Sequence, residues 1–405
     1  MRVLPFRGIR YNRQKVDPAP LAAPPYDQIG PAERDALHRA APYQFAHLSV
    51  PVAVDGSAHE HCADLHRQWL EEGVLIEDER PALYPVSIEL PSGAIRLGLC
   101  ALVGVEPAEG GLIQPHEQTV TKTVEERLGL LRTTGVDLEP ILLMSDDGGA
   151  LERLLADDTG DGRAVVEHRD EFGNLHRLFK IDEPARLAAY RETLAGRRGP
   201  IADGHHRYQV ARLYSEETGA ADGPAAAKLA VITSLASGSL TIDPIHRGFL
   251  EAPDLEAAAR HAVERRLWQG GSGTTLAAAV AKAAQPAMAV WRHGASPEIW
   301  SLDPASCPGE LPAAASQLTV VLLHASLFPL MGLEPEAATD GTVAYRSDPD
   351  VLFQSVEAGE LELGIWLPPM EPATFAAAIA GGDLLPPKST RFLPKVVSGL
   401  VWSRH

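Results

Sequence analysis

The stretch PIADGHHRYQVARLY, Pro200 to Tyr214, decides how the chain is read. An apolar approach leads into an acid, a glycine, two histidines and an arginine. Tyr208, Ala211 and Tyr214 then recur with helical spacing. The pattern predicts a helix that begins near Gly204 or His205 and ends about Glu217. The first turn of a helix leaves backbone N–H groups without intrahelical partners, and the helix dipole adds positive potential there. Such a start holds an anion well when a glycine allows close approach. Gly204 provides that approach, and Arg207 carries a guanidinium able to fork two hydrogen bonds onto phosphate oxygens. Asp203, beside these cations, reads as a Mg²⁺ ligand or as a base. Two other readings of the same residues stay open: Asp203 as a plain N-cap, and a histidine metal site. Adjacent helical histidines point in different directions, whereas zinc pairs on helices use i, i+4 spacing, which counts against His205 and His206 sharing an ion.

Three further stretches carry chemistry-bearing residues. QPHEQTVTKTVEERLGLLRTTG, Gln114 to Gly135, holds His116, Glu117, Thr119, Lys122, Glu125 and Arg127 close together. His116 and Glu117 follow a proline, in the kind of loop where acid–base groups sit. Arg127 and Arg132 stand ready to neutralise an anionic ligand, although a solvated charged helix face explains them equally well. In LAAPPYDQI, Leu21 to Ile29, two prolines fix an extended path that places Asp27, either as a site carboxylate or as part of a turn. Near the other end, PPKSTRFLPK, Pro386 to Lys395, gathers Lys388, Ser389, Thr390 and Lys395 in a basic, hydroxyl-rich segment, a phosphate clamp or an exposed loop. DPIHRGF, Asp243 to Phe249, adds His246 and Arg247.

The whole chain narrows the class. Its 405 residues suggest two or three compact units. A formal net charge of −18 argues against a broad grip on nucleic acid, without forbidding one basic pocket for a phosphate. The three cysteines show neither CxxC spacing nor a framework pattern, which fits a reduced, cytoplasmic setting. The first ten residues lack the apolar core of a secretion signal, and no apolar run is long enough for a bilayer. Oligomeric state is open.

Hairpins are predicted at Leu83–Leu90 with Ala94–Val105, at Ala164–His168 with Leu175–Ile181, and at Ala287–Trp291 with Ile299–Leu302. Leu138–Met144 reads as a strand, and Lys228–Leu235 as a strand paired with Leu240–His246. Alanine-rich helices are expected at Ala257–Leu267 and Thr275–Ala284. Leu361–Leu367, Ala373–Ala380 and Val396–Trp402 read as a βαβ unit. The class is α/β with mixed sheets. Expected divisions are an N-terminal α/β region over 1–155, a core segment over 156–250 carrying the opening stretch, and a C-terminal α/β lobe over 251–405.

In order along the chain stand PFRGIRYNRQKV, APPYD, PYQFAHLSVP, HEQTVTKTVEERLGLLRTTGVDLEPIL, IADGHHRYQVA, IDPIHRGF and PPKSTRFLPKVVSGLV. Together they resemble the widespread prokaryotic family catalogued as domain of unknown function ten-fifteen, from Pro5 to Val401. The family name carries no reaction. DGHHRY is also similar to the signature turn of the ParB and sulfiredoxin superfamily, which includes free serine kinases. That likeness implies a nucleotide-binding core, with His206 and Arg207 as phosphate ligands in a turn running from Gly204 through His205 to Tyr208. His205 stands where sulfiredoxins carry their attacking cysteine, so sulfinate repair is not expected. The expected function is a nucleotide-dependent phosphotransferase acting on a small hydroxylated metabolite, such as the amino acid serine. ATP, ADP or CTP with Mg²⁺ would be the cofactors. The alternatives are a nucleotide-binding switch without transfer and a hydrolase built on the histidine and glutamate groups.

Overall fold

The computed structural model describes every residue except 55, 108–109, 118–120, 161, 239, 310, 339–340 and 381–383. Thr119 therefore lies outside the described residues. The chain is mixed α/β and divides into two compact units, one of Met1–Leu240 with Pro394–His405 and the other of Thr241–Leu393. The second unit is thus an insertion in the first. Of the expected divisions, that at 155–156 falls within helix Ala150–Gly160, and that at 250–251 falls inside the second unit.

The first unit is built on a mixed sheet. Its strands run in the order Ile113–Gln114, Gly199–Asp203, Ile141–Ser145, Ala227–Ser234, Ile95–Gly104, Tyr84–Glu89, Leu175–Leu178 and Val166–Arg169. Val3–Leu4 pairs with the far end of Ile95–Gly104. Both hairpins expected here form, because Pro91-Ser92-Gly93 and Phe172-Gly173 supply turns between strongly apolar runs. Along Ile95–Gly104, Leu97, Leu99, Ala101 and Val103 alternate into one core with Ile141, Leu143, Ala230 and Ile232. Helices Ala150–Gly160 and Pro184–Leu194 close that core with Leu151, Leu155, Tyr190 and Leu194. Ile141–Ser145 and Ala227–Ser234 are parallel neighbours, so their carboxyl ends lie side by side. Gly199–Asp203 runs antiparallel to Ile141–Ser145 and ends at the opposite edge of that strand.

The second unit carries a six-stranded antiparallel sheet, ordered Ala262–Leu267, Glu298–Leu302, Ala287–Arg292, Leu363–Trp366, His246–Phe249 and Val343–Arg346. Helices Gly273–Ala281 and Pro349–Glu357 contribute Leu276, Val280, Leu352 and Val356 to its core.

Three local expectations fail, each for a tertiary reason. Ala257–Leu267 is not one helix: only Glu256–Ala259 is helical, and Ala262–Leu267 is an exposed edge strand held by pairing to Glu298–Leu302. Leu240–His246 does not pair with Ala227–Ser234. Pro244 interrupts the run and donates no ladder bond, and Thr241–Asp243 pairs instead with Arg391–Leu393. The expected βαβ unit is split between the two units. Leu363–Trp366 sits in the antiparallel sheet, whereas Ala23 bridges Ser398 and Ile9 bridges Trp402 in the first unit.

Candidate functional site

Strand Gly199–Asp203 turns into helix His205–Thr218 through Gly204, whose backbone is left-handed at φ +94. A Cβ here would lie 2.8 Å from Ile141 Cγ2 and 3.0 Å from Arg207 Nε, so conformation and space both demand glycine. Gly204 offers no side-chain cap to the first-turn amides, and Asp203 provides none. The plain N-cap is therefore excluded, because the acid is committed elsewhere.

Asp203 sits between two cations. Arg207 Nη2 donates to its Oδ2 at 2.6 Å, and Lys395 Nζ donates to its Oδ1. Burial pushes the carboxyl up, but the charges of Arg207 and Lys395 outweigh it and hold Asp203 below the ordinary aspartate range. Arg207 is itself buried, folded beneath Gly204, with Nη1 donating to the Pro140 carbonyl. Burial opposes its charge, while Asp203, Asp27 and Glu139 together hold its pKa above the usual value. Arg207 thus lends charge to the corner and orients Asp203, rather than projecting outward as an open fork.

The loop at His116 closes one side. The His116 backbone N–H donates to His205 Nε2 at 3.3 Å, and the two rings meet edge to face at 4.4 Å. An accepting Nε2 leaves the His205 proton on Nδ1, the nitrogen that faces Glu117 Oε2 at 3.9 Å. Burial, then the neighbouring His116, holds His205 well below the ordinary histidine range, and burial lowers His116 to about 4. Both are neutral imidazoles near pH 7. His206 is partly exposed.

On the other side, Tyr26 stacks beneath two guanidinium groups, Arg127 at 4.3 Å and Arg207 at 6.0 Å from its ring centre. Its N–H donates to Glu139 Oε1 at 3.1 Å. Burial raises the Glu139 carboxyl above its ordinary value. Arg127 pairs with Glu126 and donates to the Ser49 carbonyl at 2.6 Å. Lys228, also buried, donates to Asp137 and to the Glu139 carbonyl, the latter at 2.7 Å. Arg127, Glu139, Arg207, Asp137 and Lys228 line a cavity of about 50 Å³, room for water but far below the several hundred Å³ of a nucleotide pocket.

The structure gathers most, but not all, of the residues expected from sequence. Asp203, Gly204, His205, His206, Arg207, His116 and Glu117 form one corner, with Arg127 and the exposed Asp27 beside it. Lys122 is exposed at the start of helix Thr121–Thr134, and no hydrogen bond or ion pair among the described residues joins it to the corner. Lys388, Ser389 and Thr390 belong to the second unit. There the Lys388 carbonyl accepts from Arg247 at 3.0 Å, and the Ser389 hydroxyl is spent on Pro386 O at 2.5 Å. Sequence reasoning placed Lys395 only with Lys388–Thr390, in a clamp or loop, and gave no role to Glu139, Asp137 or Lys228. The acids at 137 and 139 alternate in VDLEP, a buried-face signal that an extended segment would have revealed.

The corner does not fit a protein-held Mg²⁺. Both Asp203 oxygens are engaged by cations, and no group of three or more His, Cys, Asp or Glu side chains among the described residues is placed to hold a metal. Likewise, no helix among them is long and apolar enough to cross a membrane.

Residues 3–287 match the family model described as protein of unknown function DUF1015. No curated protein matches the sequence. Solved structures similar to the chain include a free serine kinase in complex with AMP, at 16% identity and TM-score 0.37, covering 74% of this chain and 92% of that one. A conserved hypothetical protein from Pyrococcus furiosus follows at 13% identity and TM-score 0.33, covering 74% and 95%. A C-terminally truncated SbnI from Staphylococcus aureus stands at 12% and 0.37, covering 74% and 85%. Superpositions this loose assign neither a ligand nor a site residue here.

Proposed function

The chain belongs to the DUF1015 family of proteins of unknown function, and from its corner at Asp203–Arg207 we propose that it binds a nucleotide by its phosphates and transfers a phosphoryl group to a small hydroxylated metabolite, for instance the amino acid serine. One observation carries this proposal. The strand-to-helix turn at Gly204 has no capping side chain, and two cations, Arg207 and Lys395, converge beside it. A phosphate at the first-turn amides gains the helix dipole and the charge of Arg207 without any rearrangement of the backbone.

Lys395 is the movable member, because a single ion pair holds its ammonium and its side chain keeps some exposure. When it turns to the incoming phosphate, Asp203 Oδ1 is released while Arg207 keeps Oδ2 in place. The acceptor hydroxyl then gives its proton to Asp203 as its oxygen bonds to the terminal phosphorus. The bond from that phosphorus to the nucleoside diphosphate breaks. His116 and His205, neutral and in contact, orient rather than charge the site. A Mg²⁺ would enter with the nucleotide as part of the substrate. The cavity at Arg127, Glu139 and Arg207 is too small for a base, so the nucleoside would lie outside it.

Titration with ATP, ADP, CTP and GTP tests the corner. Binding should weaken at least tenfold in Lys395→Ala, which removes a cation without opening the core. Failure of every nucleotide to bind would sink the proposal. Product analysis with serine and other hydroxylated metabolites separates transfer from a nucleotide switch, which would bind and leave the nucleotide intact.

A further inference from the structure

Strand Ala262–Leu267 is the outermost of its sheet, paired to Glu298–Leu302 on one side and to no strand among the described residues on the other. Residues 263–267 are all exposed, Val263 at 67% and Leu267 at 63%. The Trp268 N–H donates inward, to the Pro297 carbonyl at 2.8 Å. Backbone groups alternate in direction along an antiparallel strand, so Arg266 and Glu264 also face inward, while the N–H and C=O groups of Arg265 and Leu267 face outward. No backbone hydrogen bond among the described residues uses those outward groups. A bulge between Ala262 and Glu264 leaves Val263 without a register partner as well.

Open edges are normally guarded by charge, above all by lysine. This one carries opposite charges in a self-complementary order. Two copies pair antiparallel about a two-fold axis, and register partners must both face outward or both face inward. That condition puts the axis on a residue, never between two. With the axis on Glu264, two glutamates meet and Val263 falls opposite Arg265. With the axis on Arg266, two arginines meet and Leu267 falls opposite Arg265. With the axis on Arg265, Val263 meets Leu267 and Glu264 meets Arg266, twice each. The two central arginines then bring no bare charges together. Each Arg265 already donates from Nε and Nη2 to Glu298 Oε2 of its own chain, at 2.8 and 2.7 Å, and lies 5.2 Å from the Trp300 ring centre.

We propose that Ala262–Leu267 is a homodimer interface, in which a second copy of this chain adds its own edge strand antiparallel, with Arg265 on the two-fold axis. The antiparallel sheets of two second units then run on as one. Main-chain bonds between the outward groups supply the attraction common to all strand addition, and the side-chain pairs fix the register. Val263 and Leu267 cover apolar surface that the single chain leaves in water. Glu264 and Arg266 pair across the axis and reject the neighbouring registers. The interface is independent of the phosphate corner and of the activity proposed for it.

Equilibrium sedimentation of the full chain over a range of concentrations tests it, and a monomer–dimer equilibrium is expected. Glu264→Arg alone, or Arg266→Glu alone, sets like charges opposite each other at two places in every dimer. Each should weaken association about tenfold or more. Mixing the two single variants puts opposite charges back at both places, so the mixture should associate as wild type does, one chain of each kind. The double variant Glu264→Arg/Arg266→Glu should pair with itself for the same reason. All four side chains changed or opposed are exposed, so the core is untouched, and circular dichroism verifies each fold. The proposal is overturned if wild type stays monomeric at every concentration, or if either single variant associates as wild type does. It is equally overturned if the mixture and the double variant remain as weak as the single variants.

Discussion

Gly204 carries a positive φ and a position where any Cβ would press on Ile141. Gly204→Ala should therefore cost about 1–2 kcal/mol from the left-handed backbone alone, read as a lower denaturant midpoint, and should weaken nucleotide binding along with it. Histidine burial sets the acid response. His66, His116 and His246 are held to about 4, with burial the leading cause in each, against an ordinary value of 6.5. Unfolding frees these rings to take up protons between pH 6.5 and about 4, so stability should fall on acidification across that window. Asp203 works in the same direction lower down: its depressed carboxyl contributes stability above the ordinary aspartate pKa and loses it as pH drops through its own. Denaturant midpoints measured at pH 7.5, 6 and 5 should decline in order. A flat profile would mean that the imidazoles are not neutral and buried. The glycine, the arginine and the acid of this corner were legible in DGHHRY. That Asp203 is gripped from both sides was not, because Lys395 lies 192 residues away.

Elements follow their local signals where a turn brings neighbours together. The Pro91-Ser92-Gly93 hairpin formed as its apolar runs required, and helix His205–Thr218 begins and ends within a residue or two of its expected limits. Signals failed where the partner was remote. Ala262–Leu267, AVERRL, has enough helix formers to read as helix, and only the edge of a sheet made it a strand. Close packing of elements also makes Gly273 irreplaceable. A Cβ there would fall 1.8 Å from the Pro349 carbonyl, where helices Gly273–Ala281 and Pro349–Glu357 meet. Gly273→Ala should destabilise the second unit by about 1–3 kcal/mol through forced separation of the helices. Thermal unfolding of the isolated variant against wild type measures it.

At the scale of the whole molecule, the second unit leaves and re-enters through paired strands, with Thr241 opposite Leu393. Partners in an antiparallel pair lie about 5 Å apart, so a short glycine–serine link can replace Thr241–Leu393. The remaining chain, which owns a complete core, should fold with a cooperative transition, checked by circular dichroism and denaturant titration. Cutting the chain after Leu393 should do the opposite. It removes Lys395 from Asp203, the fully buried Trp402 with its bond to His66, and the strand Ser403–Arg404 on Val136–Asp137. The amino-acid sequence by itself determined the α/β class, the local hairpins, the strand–glycine–helix corner and most of the residues around it, because each depends on periodicity, turn chemistry or charge within a few positions. Tertiary structure alone decided that the last dozen residues complete the first unit, that Lys388–Thr390 belong to the other, and that Lys395 grips Asp203. Those outcomes depend on which distant surfaces bury one another, and no short stretch of sequence records that.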